Sequence, residues 1–80
     1  MKAIITLKES EETLEFLENI DLDELKSCVD FVYIANMDIT LRGEFQVSYT
    51  GLSLWIEDKD YLLLRVPMNL VKDFIVKENK

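Results

Sequence analysis

Histidine is absent from all 80 residues. Its absence removes the commonest general base and metal ligand, and with them every catalytic triad that runs through an imidazole. Cysteine occurs once, at Cys28, so no internal disulfide can staple the chain and a reducing cytoplasm is the expected setting. Without a histidine beside it Cys28 is a poor nucleophile, and it reads as a small buried hydrophobe. Glycine is limited to Gly43 and Gly51 and proline to Pro67, which leaves no phosphate-cradling loop, no linker and no low-complexity segment. No apolar run approaches the ~18 residues that a membrane span needs, and the N-terminus lacks the basic-then-apolar layout of a signal peptide. Bases are also scarce, nine against sixteen acids, with no stripe to neutralise phosphates. Direct binding to DNA or RNA is therefore not expected. Asp58 and Asp60 could share a cation, but Asp58-Lys59-Asp60 lacks the other positions of a calcium loop and reads as a hairpin tip. No cofactor or metal is expected, and no enzyme.

What is present is a folded composition. Hydrophobic residues make up 49% and charged residues 31%, far from the balance of a disordered chain, and the length suits one domain over residues 1–80 with a small core. The clearest stretch runs from Gly43 to Pro67. Phe45, Val47 and Tyr49 alternate with polar residues, then Leu52, Leu54 and Ile56, then Leu62, Leu64 and Val66, with Thr50-Gly51 and Asp58-Lys59-Asp60 as breaks. Gly51 supplies the positive φ that the first reversal could use. An antiparallel meander is predicted.

Upstream, Lys2 to Lys8 is β-branched and apolar and predicts a first strand with Ala3, Ile5 and Leu7 on one face. Ser10 ahead of Glu11 and Glu12 is an N-cap signal for a helix to about Asn19, and Asp21 with Glu24 repeats it for a short helix from Leu22 to Ser27. Val29 to Leu41 predicts one long strand, bent or broken near Ala35-Asn36, with Arg42-Gly43 as the turn into the meander. After Pro67, the residues Leu70, Val71, Phe74 and Ile75 recur at helical spacing and predict a closing helix, with Lys77 and Lys80 at its C-terminal end. The expected fold is α+β: a mostly antiparallel sheet of about five strands in the order β-α-α-β-β-β-β-α, with helices on one face.

Charge is unevenly placed. Residues 9 to 30 hold nine acids against the single base Lys26, a balance of −8, while the other 58 residues sum to +1. That face is either a solvated surface or a recognition surface for a basic partner, steered by Glu11, Glu12, Glu15, Glu18, Asp21, Asp23 and Glu24. Carboxylates could stand there where phosphates would lie in a nucleic-acid groove. A second candidate lies on the far face of the sheet, where alternation places Trp55, Tyr61, Leu63 and Arg65, residue types that interfaces favour. Small size, acidity and absent catalytic residues are the general profile of interaction proteins, including inhibitors that phages and mobile elements direct at host enzymes or defence complexes. The expected function is thus a cytosolic protein-binding inhibitor or regulator that occupies a basic or nucleic-acid-binding surface. The alternative is a homodimeric accessory subunit joined through the Trp55 face.

Overall fold

The computed structural model describes residues 1–59 and 61–78. In chain order it contains β1 (Lys2–Leu7), α1 (Glu11–Glu18), α2 (Leu22–Cys28), β2 (Phe31–Ala35), β3 (Asp38–Arg42), β4 (Gln46–Tyr49), β5 (Ser53–Asp58), β6 (Tyr61–Pro67), a single 3₁₀ turn (Met68–Leu70) and β7 (Val71–Lys77). Seven strands form two antiparallel sheets, one of four strands in the order β2-β3-β1-β7 and one of three in the order β4-β5-β6. The class is α+β. The strand count and the arrangement differ from the single five-stranded sheet that the sequence predicted.

The four-stranded sheet is built around β1, whose alternation buries Ala3, Ile5 and Leu7. Register carries that face across the sheet, with Ile5 opposite Ile39 and Ala3 opposite Leu41 on β3, and Leu41 opposite Val32 on β2. The smaller sheet contributes Leu54, Ile56, Leu64 and Val66, and all of these belong to one hydrophobic cluster with Leu25, Val29, Phe45, Leu70 and Val71. Each fully buried aliphatic side chain in such a cluster is worth about 1.5–3 kcal/mol relative to exposure. Across one side of the two sheets the ring of Tyr49 on β4 meets the edge of Phe74 on β7, with centroids 5.1 Å apart. On the other side α2 lies against both β2 and β6. Helix α2 therefore bridges the two sheets instead of covering the face of one.

Two local readings are corrected. The segment from Val29 to Leu41 reverses instead of running on: β2 and β3 pair as a hairpin with Ala35 opposite Asp38, and Asn36 makes the reversal at φ 56°, a value asparagine tolerates better than most residues. The predicted C-terminal helix is a strand. Pro67 is extended, at φ −59° and ψ 130°, and ends β6 at a sheet edge where its missing N–H costs nothing. One 3₁₀ turn follows, fixed by Met68 N donating to Leu52 O at 2.9 Å and Lys8 N donating to Leu70 O at 2.7 Å. The chain then fills the open side of β1, with Ile5 opposite Phe74 and Ile4 opposite Ile75. Lys80 lies outside the described residues.

Gly43, not Gly51, is the glycine that the backbone requires. It sits at φ 150°, where a side chain is rarely found, and a Cβ there would stand 3.0 Å from Asp30 N. Its own N–H donates to Met1 O at 3.0 Å, so the start of β1, the end of β3 and the α2–β2 junction meet at this point. Gly51 has no positive φ and open space around it. Its turn is held by Thr50, whose Oγ1 accepts from Leu52 N and Ser53 N.

Candidate functional site

Both acidic helices begin as their caps dictate. Ser10 is extended, at φ −162° and ψ 164°, and its Oγ accepts from Thr13 N at 3.1 Å, satisfying one of the free amides of the first turn of α1. Thr13 itself is fully buried, with its Oγ1 accepting from Ser10 Oγ at 3.1 Å. Asp21 caps α2 in the same way, its Oδ1 accepting from Glu24 N at 3.1 Å. Leu25 belongs to the buried core, and Phe16, Leu17, Ile20 and Leu22 pack against it partly buried. Glu11, Glu12, Glu15, Glu18, Asp21, Asp23 and Glu24 are all exposed.

The second candidate set divides. Trp55 is half-buried and faces Arg65 directly across the β5–β6 ladder, with Arg65 exposed and its Nε donating to Ser53 Oγ at 3.1 Å. Register shifts between Ile56 and Glu57, so that Ile56 faces Leu64 while Glu57 faces Leu62. Leu63 is thereby the bulged residue, half-buried, and Leu62, expected on the covered face, is exposed. Leu52 is corrected likewise: it stands in the β4–β5 turn, 82% exposed. Tyr61 is exposed at the far end of β6, beside Asp58.

The bulged segment of β6 lies beside the helices. Phe16, Asn19, Ile20, Asp21, Glu24 and Leu25 on one side, and Leu62, Leu63, Leu64 and Arg65 on the other, line a groove of about 280 Å³. Two members of the acidic set, Asp21 and Glu24, and two of the sheet set, Leu63 and Arg65, thus share one depression with apolar walls. Sequence reading treated these as separate surfaces. Phe16 and Ile20, the walls on the α1 side, were legible only as a pair four residues apart on an amphipathic helix. Cys28 is corrected as well: its thiol is exposed, with Sγ 3.7 Å from Ser27 Oγ.

Among the described residues no cluster of three or more histidine, cysteine, aspartate or glutamate side chains could hold a metal ion. The Asp58 and Asp60 pair falls partly outside those residues. No helix of the described residues is long and apolar enough to cross a membrane. In comparisons with protein-family models, with curated proteins and with solved structures, nothing matches this chain.

Proposed function

We propose that the chain is a protein-binding module, an inhibitor or regulator, that presents the acidic α1–α2 side to a basic surface of a partner protein. The observation that carries the reading is the groove in which Asp21 and Glu24 stand beside the apolar side chains of Phe16, Ile20 and Leu63. Carboxylates alone make a solvated face. Carboxylates at the lip of an apolar depression can accept an apolar side chain flanked by lysine or arginine, so that burial supplies affinity and charge supplies steering and selection. The exposed Glu11, Glu12, Glu15, Glu18 and Asp23 extend the same field beyond the groove. A partner that ordinarily binds nucleic acid has the required surface, and occupying it would inhibit that partner.

The test is affinity capture from lysate at low and high salt, comparing the native chain with a variant carrying Glu11→Lys, Glu15→Lys and Glu18→Lys and with a groove variant, Ile20→Asp. The reading expects a protein released by salt and lost with both variants. Retention of the same proteins by the charge-reversed variant would remove the acidic side from the function.

A further inference from the structure

One strand of the larger sheet carries a pattern that a single copy leaves unsatisfied. β7 is an edge strand: β1 takes one side of it, and no strand lies on the other among the described residues. An unpaired edge is a template for another strand, and here it also bears exposed apolar side chains, Ile75 at 48% and Val76 at 38%. We propose that this edge is a self-association site, at which a second copy of the chain adds its own β7 antiparallel about a two-fold axis at Ile75, giving one continuous eight-stranded sheet.

The register follows from charge. In a symmetric antiparallel pair that keeps both sheet faces matched, one residue must stand opposite itself. With Ile75 in that place, Asp73 of each copy faces Lys77 of the other and Phe74 faces Val76. Lys72, the residue bulged out between the Thr6–Asp73 and Leu7–Val71 pairs, comes to the end where Glu78 of the second copy arrives. Every neighbouring register fails. Centring on Phe74 sets Asp73 against Ile75, centring on Val76 sets Ile75 against Lys77 and Phe74 against Glu78, and centring on Asp73 or Lys77 opposes a charge to itself. Lysines and a bulge on an edge strand ordinarily ward off foreign strands. Here they also admit one complement, the strand's own copy.

The outer face of the sheet extends the same pairing inward from β7. Phe31, Arg42, Lys2 and Lys77 stand in one row across β2, β3, β1 and β7, with the Arg42 guanidinium 4.5 Å above the Phe31 ring. Lys2 thus directly faces Lys77 within one copy, a like-charge pair that disfavours the sheet. The row four residues away along the strands runs Ala35, Asp38, Thr6 and Asp73, with acids in place of bases. Antiparallel pairing at Ile75 joins the basic row of each copy to the acidic row of the other, so Lys77, crowded by Lys2 on one side, gains Asp73 of the second copy on the other. Between those rows lies the row of Tyr33, Thr40, Ile4 and Ile75, in which Ile75 meets its own counterpart. The axis is normal to the sheet, so both three-stranded sheets lie on one side and their β4 strands become neighbours. Tyr49, 63% exposed although packed on Phe74, stands at that boundary.

Sedimentation equilibrium of the full chain over a range of concentrations is the test. It should give a species of twice 9.4 kDa. Asp73→Lys and Lys77→Asp each turn two attractive pairs into repulsive ones and should raise the dissociation constant about tenfold or more. The double variant, with both changes, restores opposite charges and should return to near the native value, with thermal melts by circular dichroism verifying that each variant folds. Hydrogen exchange on the native chain gives a reading that no variant can confound: those amides of residues 73 to 77 that point away from β1 should exchange more slowly as concentration rises. A monomer at every concentration, single reversals without effect, a double variant no tighter than the singles, or unchanged exchange on β7 would each overturn the proposal. Loss of the dimer on Trp55→Ala with β7 insensitive would place the contact on the other sheet and overturn it too.

Discussion

Replacing Gly43 by alanine isolates the point at which three parts of the chain converge. The new Cβ would stand 3.0 Å from Asp30 N and 3.4 Å from Val29 Cα and Cβ, and most of these are backbone atoms that cannot rotate aside. They are also tied down: Asp30 N donates to Arg42 O at 2.9 Å and Val29 N to Leu25 O at 3.2 Å. Holding a side-chain-bearing residue at φ 150° costs about 1–3 kcal/mol. Displacing the α2–β2 junction weakens the Asp30–Arg42 hydrogen bond by about 1 kcal/mol more, and the lower entropy of the unfolded alanine chain offsets about 0.4–1 kcal/mol. The net loss is about 1–3.5 kcal/mol, which in a domain of this size lowers Tm by about 4–28 °C. Gly51→Ala is the matched control. With no positive φ and nothing within 4 Å of its Cβ, it should leave Tm unchanged or raise it by a few degrees. The two variants would be compared by calorimetry and by urea midpoint under identical conditions. If they melt together, within about 4 °C of each other, the argument from backbone strain and close approach at Gly43 is wrong.

Two further outcomes follow from side chains already placed. Ser10→Ala removes the acceptor of the Thr13 amide and leaves the buried Thr13 hydroxyl without its Ser10 donor, so stability should fall by about 1–2 kcal/mol, read from the urea midpoint; an unchanged midpoint would mean the cap contributes nothing. Cys28 is exposed, so a thiol reagent such as Ellman's should label the native protein fully without denaturant, and Cys28→Ser should change stability by less than about 0.5 kcal/mol; labelling that required unfolding would contradict the placement.

The elements that could be read from the sequence are those whose burial is one-sided and whose signals are local. β1, the three strands of the meander and both capped helices satisfy that condition, since period-two alternation or a Ser/Asp cap fixes each without reference to the rest of the chain. β7 does not. In Val71–Lys77, Val71, Phe74 and Ile75 fit a helical stripe, while Phe74 and Val76 against Asp73, Ile75 and Lys77 fit a strand equally well. What decides between them is the open side of β1, some 70 residues away in sequence, and no local window contains it. The β2–β3 reversal was visible as an interruption at Ala35-Asn36, but with no glycine there the interruption did not announce a turn. The exposed acids were legible from helix spacing alone. The groove was not, because it depends on a bulge at Leu63 that flips strand parity, and a bulge leaves alternation looking intact on either side.

The position of β1 bears on the order in which the chain can fold. β4, β5 and β6 pair with their sequence neighbours, and so do β2 and β3, so each of these units closes only short loops. β1 has no such neighbour. Its partners are β3, more than thirty residues on, and β7, beyond the entire meander. Its first edge can close only once β3 is in place, and its second stays open until β7, beyond the whole meander, reaches it. Cooperativity is concentrated in that late step, because Ala3, Ile5 and Leu7 gain their full burial only when the two ends of the described chain lie side by side.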